Sequence, residues 1–319
     1  LTVAEGTYDQ PMHRTIELTI PPHLTDSLQA ELTSLEEVIG LTLQRGASLK
    51  PAGDVLIVHV LNRGADEVLR RVQTAVPKAE LSAVTSEATS FISPDSHHVI
   101  RGDRDEAIWE EMESGLRHQG RITVNYLLLM ALGGVIAAVG LVSEPVPQAV
   151  AFVASAIIAP GFDSMTTVAL ALVLRRWDLL GRALASAGAG YAALMLAAAA
   201  TSALLVGVGE MDAQMLAGNA EVQHLAHPRW MELLVAAAGA LAGVVMLAAF
   251  RRSFQAGPLI AMAFIPAAAL VGAGLAVGRP DLAWEGLQRF GADWGFILVL
   301  GAPFLWLKQR FLHRRQPLV

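Results

Sequence analysis

Ser155-Ala-Ile-Ile-Ala-Pro160-Gly161-Phe162-Asp163-Ser164 lies at the centre of an apolar run from Pro147 to Leu174. A membrane-spanning helix needs about 20 apolar residues. At about 1.5 Å per residue this run would reach about 42 Å if fully helical, more than the hydrocarbon thickness. A mid-run Pro-Gly removes a backbone donor and breaks or kinks the helical ladder. Just past the break comes Asp163, the one ionisable side chain that the hydropathy pattern puts deep inside an apolar segment. A carboxylate at mid-bilayer costs about 2.5–3.5 kcal/mol to insert, so it is expected to face the protein interior or water.

Five further apolar runs flank this one. The six expected spans lie near 124–142, 147–174, 183–208, 231–250, 255–277 and 294–312, with a tail at 313–319. Arg117, Arg121, Arg175, Arg176, Arg182, Arg251, Arg252, Lys308, Arg310, Arg314 and Arg315 fall in one set of connections, and only Arg229, Arg279 and Arg289 in the other. Basic residues stay on the cytoplasmic side. Both termini are therefore expected in the cytoplasm, and the protein is expected to be multi-pass. The 209–229 connection, with Met211, Met215, Leu216, Val222 and Leu225, reads as an external loop carrying a surface-lying helix, or as a re-entrant lid.

The fifth run carries Pro266 at its middle, in Ala261-Met-Ala-Phe-Ile-Pro266. Val124 to Pro160 and Trp230 to Pro266 are the same 36-residue offset. Two opposed three-span halves, each with an interrupted middle helix, are a transporter pattern. A 3+3 inverted repeat with helices two and five broken is therefore expected. Gly239 and Gly243 have the spacing that brings helix backbones together.

The 319-residue chain is 54% apolar and only 16% charged, with mean hydropathy +0.47, which excludes a single soluble enzyme. Residues 1–123 hold eleven Lys/Arg against nineteen Asp/Glu, so an acidic soluble part precedes the membrane part. Its acidity argues against nucleic acid as a partner. The chain has no Cys, so disulfides, thiolate metal sites and cysteine nucleophiles are excluded. All nine His lie outside the apolar runs. No metal site, cofactor or catalytic constellation is expected, and an intramembrane enzyme is the least supported reading.

Within residues 1–92, His13–Ile20, Val38–Arg45, Asp54–Asn62 and Ala79–Glu87 read as strands. Thr25 to about Glu37 and Gly64–Val76 read as helices, the first capped by Thr25 or Asp26. Strand-helix-strand-strand-helix-strand is the ferredoxin-like order. The fold class is thus an α+β domain, a four-stranded antiparallel sheet with two helices, ahead of an all-α membrane domain. The open sheet face is expected to be covered by another subunit or by the following segment. Residues 93–123 read as a linker, in which adjacent His97 and His98 chelate poorly, followed by a stalk helix over Asp105–Gly120.

"SAIIAPGFDSM" followed by Arg175–Arg176, and "IAMAFIPAAALVGAGLAVG" in the later half, resemble the two signature stretches of the domain-of-unknown-function 389 family, bacterial and archaeal hydrophobic membrane proteins. The resemblance covers roughly 124–307 and implies a prokaryotic inner membrane location. Many members also carry a small soluble domain in front. The family pattern has a second proline after the first break and Pro-Pro at the second, where this chain has Ser164 and Ala267. Asp163 replaces a small neutral residue. The family has no established activity.

The candidate path residues are Asp163, Ser155, Pro160, Gly161, Ser164, Thr166, Thr167 and Pro266. Asp163 is either a helix cap through the amides of Met165 or Thr166, a proton or cation site, or a direct solute contact. The expected function is a secondary transporter for a small polar solute or ion, embedded in the lipid bilayer as a homo-oligomer. The alternative is a membrane-anchored ligand sensor whose spans only anchor and dimerise.

Overall fold

The computed structural model describes residues 13–77, 80–88, 109, 112, 121–248 and 256–311. The chain divides into two compact units, Leu1–Met112 with Gln309–Val319, and Glu113–Lys308.

In the first unit, β1 (His13–Ile20), α1 (Thr25–Thr33), β2 (Val38–Leu49), β3 (Ala52–Leu61), α2 (Ala65–Ala75) and β4 (Ser82–Ala88) follow the expected order. The sheet is antiparallel throughout, ordered β2-β3-β1-β4, the split arrangement of a ferredoxin-like domain. Alternation turns Ile16, Leu18 and Ile20 to one face, where they bury against Leu28 and Leu32 of α1 and Val68 and Val72 of α2. Full burial stabilises each such side chain by about 1.5–3 kcal/mol.

Neither predicted cap serves α1. The helix grows out of a tight 3₁₀ turn at Pro22–Leu24, so its first residue, Thr25, is already helical and buried. The Thr25 hydroxyl donates instead to Asp54 Oδ2 at 2.8 Å, and Asp26 pairs with Arg45 at 2.6 Å. Asp54 also accepts the Gly46 backbone N–H at 2.7 Å. That amide, then the Thr25 hydroxyl, holds the Asp54 carboxyl below its ordinary range. Gly46 itself sits at φ +63°, a left-handed conformation that glycine adopts without strain.

Of the predicted stalk only Trp109 and Met112 are described, both helical and buried. His97 and His98 lie outside the described residues.

The second unit is helical: α3 (Val124–Gly140), α4 (Pro145–Ile158), α5 (Gly161–Val173), α6 (Trp177–Val208), α7 (Ala213–Gly218), α8 (Ala220–Ala226), α9 (Trp230–Ala248), α10 (Ala256–Ala276) and α11 (Pro280–Phe296). One π-helical turn, Ile297–Gly301, joins α11 to α12 (Ala302–Phe311). Trp177–Val208, Trp230–Ala248 and Pro280–Phe311 are long and apolar enough to cross a membrane. The pair α4 and α5, bent by 52°, makes a fourth if it counts as one span. Val124–Gly140 and Phe264–Ala276 are shorter apolar helical segments.

Two expectations are corrected. Pro266 does not interrupt its helix, because α10 runs unbroken from Ala256 to Ala276. An interior proline removes only one ladder bond, and the buried residues around it, Phe264 to Leu270, hold α10 in place. The last helix begins at Pro280, not near Trp294. Leu282, Gly286, Arg289 and Asp293 form one buried stripe along it, with charged residues where apolar ones were sought.

Small residues set the packing. A β-carbon on Gly133 would lie 2.7 Å from Ala159 Cβ, and one on Gly134 would overlap the Leu194 carbonyl, so α3 wedges between α4 and α6.

Residues 209–229 form short helices capped by Asp212 and Asn219. They are tied down by Gln148 Nε2 donating to Asn219 Oδ1 at 3.1 Å.

Candidate functional site

The α4–α5 break is a single tight turn. Pro160 has φ −79° and ψ 41°, and the Gly161 N–H donates to the Ala159 carbonyl at 2.8 Å. That is close to an inverse γ-turn. The segment has no room for a side chain at Gly161, where a β-carbon would overlap the Tyr191 hydroxyl. Tyr191 is buried and directs that hydroxyl at Met165 Sδ, 3.7 Å away.

Asp163 stands in the first turn of α5, where a negative charge suits the helix dipole. It is half-buried among fully buried neighbours. Capping is not its role. The cap position is Pro160, and no side chain bonds the first amides of α5. Among the described residues nothing donates a hydrogen bond to the Asp163 carboxylate.

The hydroxyls expected around Asp163 are turned to their own helices. Ser155 donates to the Phe152 carbonyl at 2.8 Å, Ser164 to Gly161 at 2.8 Å, Thr166 to Phe162 at 2.7 Å and Thr167 to the Asp163 carbonyl at 2.6 Å. In apolar surroundings a helical Ser or Thr satisfies itself in this way, on the carbonyl three or four residues back. Each keeps its acceptor lone pairs.

The two proline segments do meet. The rings of Phe162 and Phe264 stack at 6.3 Å and 16°, two residues from Pro160 and Pro266 respectively. The Tyr191 ring packs on Phe290 of α11 at 4.6 Å. Next to Phe290 lies a pair that sequence reasoning missed. Arg289 Nε donates to Asp293 Oδ2 at 3.1 Å, with the two side chains only 5% and 3% exposed. The basic-residue pattern assigns Arg289 to an external connection, whereas the structure buries it within α11. The detectable signal was its i, i+4 spacing to Asp293 on the Leu282–Gly286 stripe. Lys308, counted among solvated basic residues, is likewise buried, and donates to the Ala248 carbonyl at the end of α9 at 2.6 Å. Among the described residues no three His, Asp or Glu gather into a metal site.

Two polar features thus stand inside an apolar helical bundle, Asp163 at the start of α5 and the Arg289–Asp293 pair of α11, and Tyr191 lies against both Gly161 and Phe290. Apolar side chains such as Leu128, Leu132, Leu196 and Leu204 stand exposed on the bundle's surface. The class these features define is the helical membrane protein. Residues 156–299 match the family model described as domain of unknown function (DUF389), the same family that the two proline segments resemble. The match spans both Asp163 and Asp293. No curated protein matches the chain.

Proposed function

We propose that this protein is a secondary transporter, or permease-like carrier, for a small polar solute, with a cytoplasmic ferredoxin-like domain that regulates it or sets its oligomeric state. The observation that carries the reading is the helix broken at Pro160, with a half-buried acid opening its second half inside an apolar bundle. Broken helices in carriers put backbone and charge where a solute or ion is held. Asp163 is the proposed ion or proton site, and Pro160 and Gly161 form the pivot.

The six-span reading takes α3, the bent pair, α6, α9, α10 and α11–α12 as the crossings. Tryptophans support it. Trp177 and Trp306 lie exposed at the ends that the basic residues assign to the cytoplasm, and Trp230 and Trp284 near the opposite ends. Such residues anchor helices at the two interfaces. Removing the buried Arg289 and Lys308 from the count leaves ten basic residues against two, so the bias survives.

The inverted repeat is weaker as part of the proposal, because only one of the two middle helices is interrupted. The continuous α10 favours the second reading, an anchored sensor. Reconstitution separates them. Proteoliposomes carrying a pH- or sodium-sensitive dye, offered a panel of small polar solutes, are expected to show ion flux above empty vesicles, falling at least tenfold in Asp163→Asn. Flux equal to that of empty vesicles leaves the sensor.

A further inference from the structure

We infer that the Arg289–Asp293 pair binds a neutral polar group with a hydrogen-bond acceptor and a donor on one carbon, of the carboxamide class. This rests on the carrier reading for its physiological meaning, though not for the binding itself.

The pair is unfinished. Arg289 Nη1 and Asp293 Oδ1 are both buried, and among the described residues neither has a hydrogen-bond partner. A buried donor or acceptor without a partner costs about 1–3 kcal/mol, more for charged groups, so such atoms in a well-packed helix call for an explanation. The nearby Trp294 Nε1 is a third such atom.

Position links the pair to the broken helix. Helices α10 and α11 are antiparallel neighbours. A β-carbon on Gly274 would lie 2.7 Å from Ala283 N, and one on Gly286 2.8 Å from the Ala267 carbonyl. Each turn onward in α11 is a turn back in α10, so Arg289 comes level with the Pro266–Ala267 stretch and Asp293 with the α10 turn before it, Phe264 lying between the two levels. Phe264 stacks on Phe162, beside Asp163. The π-turn Ile297–Gly301 begins four residues after Asp293, and π-turns frequently mark functional positions. α5, which begins at the break, packs against that turn.

Charge selects the ligand. The pair is neutral overall, with one free donor and one free acceptor. A carboxylate reaching Arg289 meets Asp293 beside it, and an ammonium reaching Asp293 meets Arg289. A carboxamide offers its oxygen to Nη1 and its N–H to Oδ1, and repels neither.

The test is saturation-transfer NMR of methyl-bearing probes with purified full-length protein in micelles. Acetamide is expected to give at least threefold more transfer than acetate or methylammonium. Arg289→Leu with Asp293→Leu replaces the pair by apolar volume, a change proteins often tolerate, and is expected to cut the acetamide signal at least fivefold. Asp293→Asn leaves a bare guanidinium, so acetate should overtake acetamide. That inversion is a readout that a merely structural ion pair would not produce, and it stands even if the double variant fails to fold. Equal transfer from the three probes, or an unchanged preference in Asp293→Asn, overturns the inference. The measurement needs no flux. A protein that binds acetamide and moves nothing retires the carrier and keeps the site.

Discussion

At the scale of single residues, Gly161 and Asp163 carry the most weight. Gly161 faces the buried Tyr191 hydroxyl with no space between them. Gly161→Ala is expected to destabilise the detergent-solubilised protein by about 1–3 kcal/mol, the usual cost of overpacking. Tyr191→Phe removes the clashing oxygen and should restore most of the loss. A thermal-unfolding double-mutant cycle measures both, and additive effects would contradict the contact. Asp163 was legible from hydropathy alone, since a lone carboxylate in an apolar run is conspicuous. Arg289 and Asp293 were not legible, because hydropathy averages a buried ion pair with the polar residues around it. Only helical periodicity separates the stripe that includes them from the solvated face.

At the scale of elements, the two prolines were read as equivalent and are not. Pro160 sits beside a glycine that admits a sharp turn, whereas Pro266 is followed by Ala267, Ala268 and Ala269, good helix formers that are fully buried. Local sequence gives the breaker. Packing decides whether it breaks. Pro160→Ala is therefore expected to lower reconstituted ion flux at least tenfold, and Pro266→Ala to keep it within twofold. Equal losses would restore the symmetric picture.

In the N-terminal unit, Glu67 of α2 accepts from Arg70 Nε at 2.7 Å and Arg71 Nε at 2.8 Å. These bonds, Arg70's first, pull its carboxyl from an ordinary 4.5 to about 2. A depressed folded-state value means stability that is present above the ordinary value and is lost as pH falls through the depressed one. Glu67→Gln should therefore speed amide exchange in α2 at pH 7, after correction for intrinsic rates, and make no difference near pH 2. Because the pair is partly solvated, the effect is small and salt-sensitive.

At the scale of the whole molecule, the N-terminal fold was readable because alternation and helical spacing are strong local signals of the element order, to which the observed sheet β2-β3-β1-β4 corresponds. The apolar helices were readable for the same reason, though their ends were not: the last begins at Pro280, where a helical stripe hides among polar residues. The central claim is that the break beside Asp163 opens to water within the bilayer. The chain has no cysteine, so single-cysteine labelling has a silent background. In membrane vesicles, Asp163→Cys is expected to react with a membrane-impermeant thiol reagent, while Val168→Cys, five residues further along α5 and only 3% exposed, stays inert. An Asp163→Cys protein as unreactive as Val168→Cys would contradict the account.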